Sequence, residues 1–291
     1  MFQKLAVAQS GDPRKETPCD MCRLSCCPTL KWSTVMAIVS IIDIIVFIVV
    51  IAIGGTVRGD PASPMNFLTP NSYYLWLLGD KDPYYMKGGP GMFPQVWRFM
   101  TPVFLHGSLA HIIYNVLSQL LFGSMIESMA GFKRTLILYF GGAIGGNLLG
   151  ALVSDSIAVG ASTALLGLLG AGIGWLVLNW KALENTGLRC IVTCYFVMIV
   201  IMNLLFGMGV GYGNSGTSID WCGHLGGLYT GIFLGMFVMS VIGNRNTSYE
   251  KNVKKLGVGL LVIWFVLGFS LFYTVRHPIN QGHPDYPNPP W

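Results

Sequence analysis

Charge is what this sequence has least of. Asp, Glu, Lys and Arg together make up 11% of the 291 residues, against roughly 25% in a soluble domain. So little charge cannot cover a water-facing surface, which excludes an ordinary soluble domain. Also missing near the start is a short apolar core followed by a small-residue cleavage site. The first hydrophobic stretch is therefore expected to remain as an uncleaved anchor. The opening residues carry Asp12 and Glu16 and lack an Arg-rich amphipathic pattern. That argues against mitochondrial import and for the secretory pathway or plasma membrane.

What is present is hydrophobic length. Residues of the hydrophobic types make up 53% of the chain, and seven stretches near membrane-spanning length can be drawn at 34–53, 111–128, 136–153, 162–178, 190–207, 222–242 and 257–273. An all-α polytopic membrane protein with seven transmembrane helices is predicted. With the N-terminus cytosolic, 13 Lys and Arg residues fall inside and 5 outside, which fixes the orientation by the excess of positive charge on the cytosolic side. The net charge of +5 is then a consequence of topology and gives no reason to invoke nucleic acid.

This topology makes the second, fourth and sixth spans run in the same direction. Their starting ends carry His111 and Asn115, Ser162, and His224. Three separate segments thus bring polar groups to one depth, on the luminal or extracellular side. Such groups are costly inside a membrane and are functional by default. His111 and Asn115 stand four apart, about 40° around a helix, and share a face.

Acyl transfer is the chemistry that uses this set. A serine needs a base to take its proton, and imidazole is the side chain matched to neutral pH. Ser162 is the candidate nucleophile and His224 the candidate base. The oxyanion that forms needs donors already aimed at it, and the Ser162 backbone N–H with the side chains of His111 and Asn115 can supply them. Asp220, one turn before His224, does not clearly complete a triad and could cap its helix instead, so a dyad is expected. Taken singly, each residue has a plain structural alternative: a serine in a membrane helix often bonds only a carbonyl, and a histidine can serve as an interhelical hydrogen bond. Their shared depth is what favours function. Glycines every four residues in the sixth span, including Gly227 and Gly231, form a small-residue stripe that lets a neighbouring backbone approach.

These residues, in this order, resemble the rhomboid intramembrane serine proteases. Trp97 and Arg98 followed by Thr101, Phe104 and His106 are similar to the family's first-loop signature, and His106, His111 and Asn115 reproduce its His-x4-His-x3-Asn. Gly123 through Glu127 to Gly131, Gly160-Ala161-Ser162, and Asp220 through His224 to Gly227 match the later motifs. The resemblance implies a six-helix core and a Ser162–His224 dyad. It also implies an oxyanion site at His111 and Asn115, with the transmembrane helices of other proteins as substrates. No cofactor or metal is implied. A seventh helix after the base resembles the eukaryotic six-plus-one arrangement. The alternative is an inactive relative that binds membrane clients for trafficking or quality control, and a transporter is a third reading. Three positions depart from the family pattern. Thr163 replaces the usual glycine after the serine, where a branched side chain would crowd the nucleophile. Leu166 replaces a common aromatic that packs on the base, and Gly223 replaces alanine.

The expected organisation is then a cytosolic segment 1–33, a core 34–242 containing an interfacial loop 56–104, a cytosolic basic loop 243–255, an added helix 256–274 and a luminal or extracellular tail 275–291. The loop is rich in aromatics and proline, which suits the membrane interface. Trp97, Arg98, His106 and Glu127 are expected to brace the loop and the second helix rather than to react. Asp43, in the first span, has no obvious partner near it in sequence. Cys19, Cys22, Cys26 and Cys27 lie on the cytosolic side, where acylation suits them better than disulfides or zinc. Asn246 opens a glycosylation triplet on the same side, where it is expected to go unused. The sequence leaves the oligomeric state open.

Overall fold

The computed structural model describes residues 33–57, 67–89, 91–184, 220–244 and 247–279, with 189, 190, 193, 194, 196, 197 and 201 between them. The cysteine cluster, Asn246 and most of the fifth expected span lie outside these residues. Five described helices are long and apolar enough to cross a membrane: α1 (Val35–Gly54), α4 (Leu109–Ala130), α5 (Phe132–Val153), α7 (Trp221–Val238) and α8 (Ser248–Thr274). The shorter apolar α6 (Ser162–Leu178) joins them. The protein is a multi-pass integral membrane protein with an all-α architecture. Between α1 and α4 lie a two-stranded antiparallel ribbon, β1 (Thr56–Val57) with β2 (Thr69–Pro70), the short helices α2 (Ser72–Leu77) and α3 (Pro83–Lys87), and the 3-10 turns Val96–Phe99 and Thr101–Phe104.

Helix α6 is the axis of the bundle. Thirteen of its 17 residues are buried, whereas only 17% of the most apolar stretch of α8 is. What allows α6 so central a place is the glycine stripe of α7. A side chain at Gly231 would come within 2.8 Å of the Gly167 Cα, and one at Gly227 within 3.1 Å of the Thr163 carbonyl carbon. The two backbones therefore touch, as small-residue interfaces permit between helices in lipid.

Helix α1 exposes Ile38, Ile41, Ile45 and Ile48 on one side and buries Val35, Met36, Val39 and Asp43 on the other. Asp43 has a partner that its neighbours in sequence could not reveal. Gln119 Nε2 donates to its Oδ2 at 2.7 Å, and Ser40 Oγ donates to Gln119 Oε1 at 2.6 Å. Gln119 opens a π-helical turn, Gln119–Gly123, within α4, and such a widened turn marks a local departure from ideal helical spacing.

Glu127, near the end of α4, caps the start of α1. Its carboxylate oxygens accept from the backbone N–H groups of Val35 at 2.7 Å and Met36 at 3.0 Å, two of the donors a helix start leaves without partners. Glu127→Ala orphans both in a buried place. It is expected to destabilise the fold by about 2–4 kcal/mol, read as a lower thermal midpoint in detergent, with Glu127→Gln falling between it and the native chain. An unchanged midpoint for the alanine variant removes the bracing role.

The seventh helix needs a correction. The segment 243–255, expected as a basic loop, is helical from Ser248 onward. Thr247 and Glu250 form a capping box that starts the helix in the polar region, before the apolar run begins. At its other end, Phe269 and Phe272 of α8 pack edge-on against Phe99 of the loop, with ring centroids 5.2 and 5.8 Å away. Arg98 braces that loop from within. It donates to Asp80 Oδ1 at 2.7 Å, to Gln95 Oε1 at 2.6 Å and to the Trp76 carbonyl at 2.9 Å. Asn147 of α5 donates to the Phe99 carbonyl at 3.0 Å, so the loop is seated on α5 and α8 rather than hanging free.

Candidate active site

The starts of α4, α6 and α7 meet at one end of the bundle, as the topology requires. Ser162 is the first residue of α6, with Ala161 as its cap, so its side chain stands at the mouth of the helix and stays partly exposed. His224 lies one turn into α7 and is buried. The close packing of α6 on α7 carries the short serine side chain to the ring, with Ser162 Oγ and His224 Nε2 2.7 Å apart. That is a full hydrogen bond.

A third and a fourth group come from α4. Gly160 has φ +125°, and a side chain built there would fall 2.7 Å from the His111 ring and 3.7 Å from Ser162 Oγ. The missing side chain thus leaves an opening between the imidazole of His111 and the hydroxyl of Ser162. Asn115 is fully buried one turn further along α4 and donates one amide proton to the His111 carbonyl at 2.9 Å. An amide nitrogen carries two protons, and this is the one bond of the Asn115 amide N–H group among the described residues.

His106 stands behind His111, with ring centroids 5.3 Å apart in an edge-to-face arrangement. Burial, with His111 beside it, pushes the pKa of the His106 imidazole well below its ordinary value. A neutral ring packed edge-on against another ring can support it. Trp97 is half-exposed on the loop. It holds the local turn, its carbonyl accepting from Met100 N at 2.8 Å and Thr101 Oγ1 at 3.1 Å. Among the described residues no group of three or more His, Cys, Asp or Glu is placed to hold a metal ion.

Residues 94–241 match the model of the Rhomboid domain. The chain belongs to the rhomboid family. It is 33% identical to Rhomboid-like protease 1 of Toxoplasma gondii over 86% of this chain and 79% of that protein. It is also 28% identical to Rhomboid-like protease 2 of the same organism over 77% of this chain and 72% of that protein. Identity to RHOMBOID-like protein 7 of Arabidopsis thaliana is 29%, over 81% of this chain and 75% of that protein.

Two departures from the rhomboid pattern have structural answers. Thr163 is buried against a neighbouring helix. Its Cβ packs toward α5, 2.9 Å from where a side chain at Gly146 would begin. Leu166 packs with Leu169, Phe122 and Leu228 rather than on the base. The aromatic near His224 is instead Trp221, three residues earlier on the same helix, with ring centroids 6.1 Å apart at 74°. The i, i+3 spacing of Trp221 and His224 was visible in the sequence and would have pointed to it. Asp220 caps α7 through Gly223 N at 2.9 Å, the second of the two roles open to it, and it forms an ion pair with Lys81 that the sequence did not suggest.

Proposed function

We propose that this rhomboid is an intramembrane serine endopeptidase that hydrolyses peptide bonds in or near the transmembrane helices of other membrane proteins. The contact of 2.7 Å between Ser162 Oγ and His224 Nε2 carries this reading. His224 Nε2 takes the hydroxyl proton as Ser162 Oγ attacks the scissile carbonyl. The oxyanion so formed meets the Ser162 backbone N–H and the side chains of His111 and Asn115, with the N-terminal dipole of α6 adding positive potential. His224 then gives the proton to the leaving amine, and water releases the acyl group from Ser162. A substrate helix must unwind locally first, because a hydrogen-bonded helical backbone keeps its carbonyls out of reach.

Helix α6 supports the same depth. Its 17 residues span about 26 Å, short of the roughly 30 Å hydrocarbon core, which supports a Ser162 lying beneath the headgroups, where water has to reach it for hydrolysis. The distribution of Lys and Arg puts that site on the luminal or extracellular side, in a secretory-pathway or plasma membrane with the N-terminus cytosolic. The alternative, a non-catalytic binder of membrane clients, drew its support from Thr163, whose side chain turns toward α5. Reaction of the purified protein with a fluorophosphonate probe tests the proposal. The native chain is expected to label and Ser162→Ala to remain unlabelled, whereas equal labelling of the two removes Ser162 as nucleophile.

A further inference from the structure

Lys81 is wholly buried in the loop before α4, where an unpaired ammonium would be among the costliest groups in the molecule. Two connections account for its place. Its backbone forms a two-way bridge to Ala158, with Lys81 N donating to Ala158 O at 2.9 Å and Ala158 N donating to Lys81 O at 3.1 Å. Ala158 lies four residues before Ser162, in the segment that leads into α6. The Lys81 side chain pairs its ammonium with Asp220 Oδ2.

Asp220 is the cap of the helix that carries the base. While Oδ2 holds Lys81, Oδ1 accepts from Gly223 N at 2.9 Å, and the Asp220 carbonyl accepts from His224 N at 3.0 Å. A closed circuit therefore runs from Ser162 through Ala158, Lys81 and Asp220 to His224, and back across the 2.7 Å contact to Ser162. Gly150 of α5 makes room for it, since a side chain there would come within 2.9 Å of both the Lys81 ammonium and Asp220 Oδ1. The leading segment is held at two further points. Gly160 N donates to Pro102 O at 2.8 Å, and Arg276 at the end of α8 pairs with Asp155 at 2.5 Å. Lys81 alone of these anchors also grips the helix of the base.

We infer that Lys81 is a positioning residue that sets the separation of Ser162 from His224 by tying the segment before the nucleophile to the cap of the base helix. This rests on the protease reading above. Removing both charges avoids leaving either one alone in a buried place, and asparagine at 220 keeps an oxygen for Gly223. The double variant Lys81→Met with Asp220→Asn is therefore the informative one, read beside Lys81→Arg.

The double variant is expected to melt within a few degrees of the native chain. Its probe labelling at Ser162 and its kcat on a transmembrane substrate should nonetheless fall by about 100-fold, the cost of a misplacement near 1 Å, with KM little changed. Lys81→Arg, which keeps the pairing, recovers part of that loss. Labelling at the native rate in the folded double variant overturns the inference, as does a loss of activity that tracks loss of folded protein. Hydrogen exchange at amides 158–162 and 220–224 is followed in the same samples because it needs no activity. If native labelling proves independent of Ser162, the protease reading fails by itself. Faster exchange in the double variant then upholds the tie and unchanged exchange ends it.

Discussion

Ser162→Ala and His224→Ala are each expected to lower kcat on a transmembrane substrate by at least about 10⁴-fold, and the double substitution to cost no more than either alone. The reason lies in the single contact between them. Ser162 Oγ is 2.7 Å from His224 Nε2, and among the described residues no second base is bonded to that hydroxyl, Asp220 being engaged with Lys81 and Gly223. Without the imidazole, the hydroxyl keeps its proton and attacks poorly. Without the hydroxyl, the imidazole has nothing to activate. Two groups that work as one unit lose their effect once, so their penalties do not add. Additive losses would mean that His224 acts elsewhere, for instance in holding α7 in place. Substantial cleavage by His224→Ala would remove it as the base. A purely client-binding protein separates from both cases, because its binding would survive in all three variants and no cleavage would be lost.

Much of this site was legible in the sequence because it depends on features that are local in the chain. Span length, the excess of Lys and Arg on one side, and the place of His111, Ser162 and His224 at the starts of three spans running in one direction set their common depth without any coordinates. The glycine stripe at Gly227 and Gly231 announced a close helix contact, and Glu127 was expected to brace, although its partner at the start of α1 was not foreseen. The unforeseen contacts share a physical character: they join distant parts of the chain and leave no periodic trace. Lys81 and Asp220 are 139 positions apart, and in the sequence Lys81 passes for a polar residue in a loop and Asp220 for a helix cap. Gln119 meets Asp43 from a π-helical turn, which a count of 3.6 residues per turn does not anticipate. The early start of α8 was hidden for the opposite reason. Hydropathy locates where an apolar run begins, while the capping box at Thr247 and Glu250 locates where the helix begins, and these differ when a helix extends past the lipid.

Gly160→Ala, a change of one methyl group, is expected to slow both cleavage and probe labelling by about 10²- to 10³-fold, comparable to losing an oxyanion donor. Two independent costs meet at this position. At φ +125° the backbone is in a region that favours glycine, and another residue there is strained by about 1–3 kcal/mol. The chain cannot easily rotate away, because Gly160 N is committed to the Pro102 carbonyl at 2.8 Å. The added methyl would also sit 2.7 Å from His111 Nε2 and 3.7 Å from Ser162 Oγ, in the space that the proposed mechanism gives to the substrate carbonyl oxygen. Gly131→Ala separates the two costs. Its φ is +80°, yet a side chain there meets nothing within 4 Å, so it carries backbone strain without obstruction. The folded fraction of Gly131→Ala should label at the native rate even if its melting point drops, while the folded fraction of Gly160→Ala should not. Equal labelling of the two variants would show that the opening beside His111 is not where the reacting carbonyl goes, and the oxyanion assignment of His111 and Asn115 would have to be withdrawn.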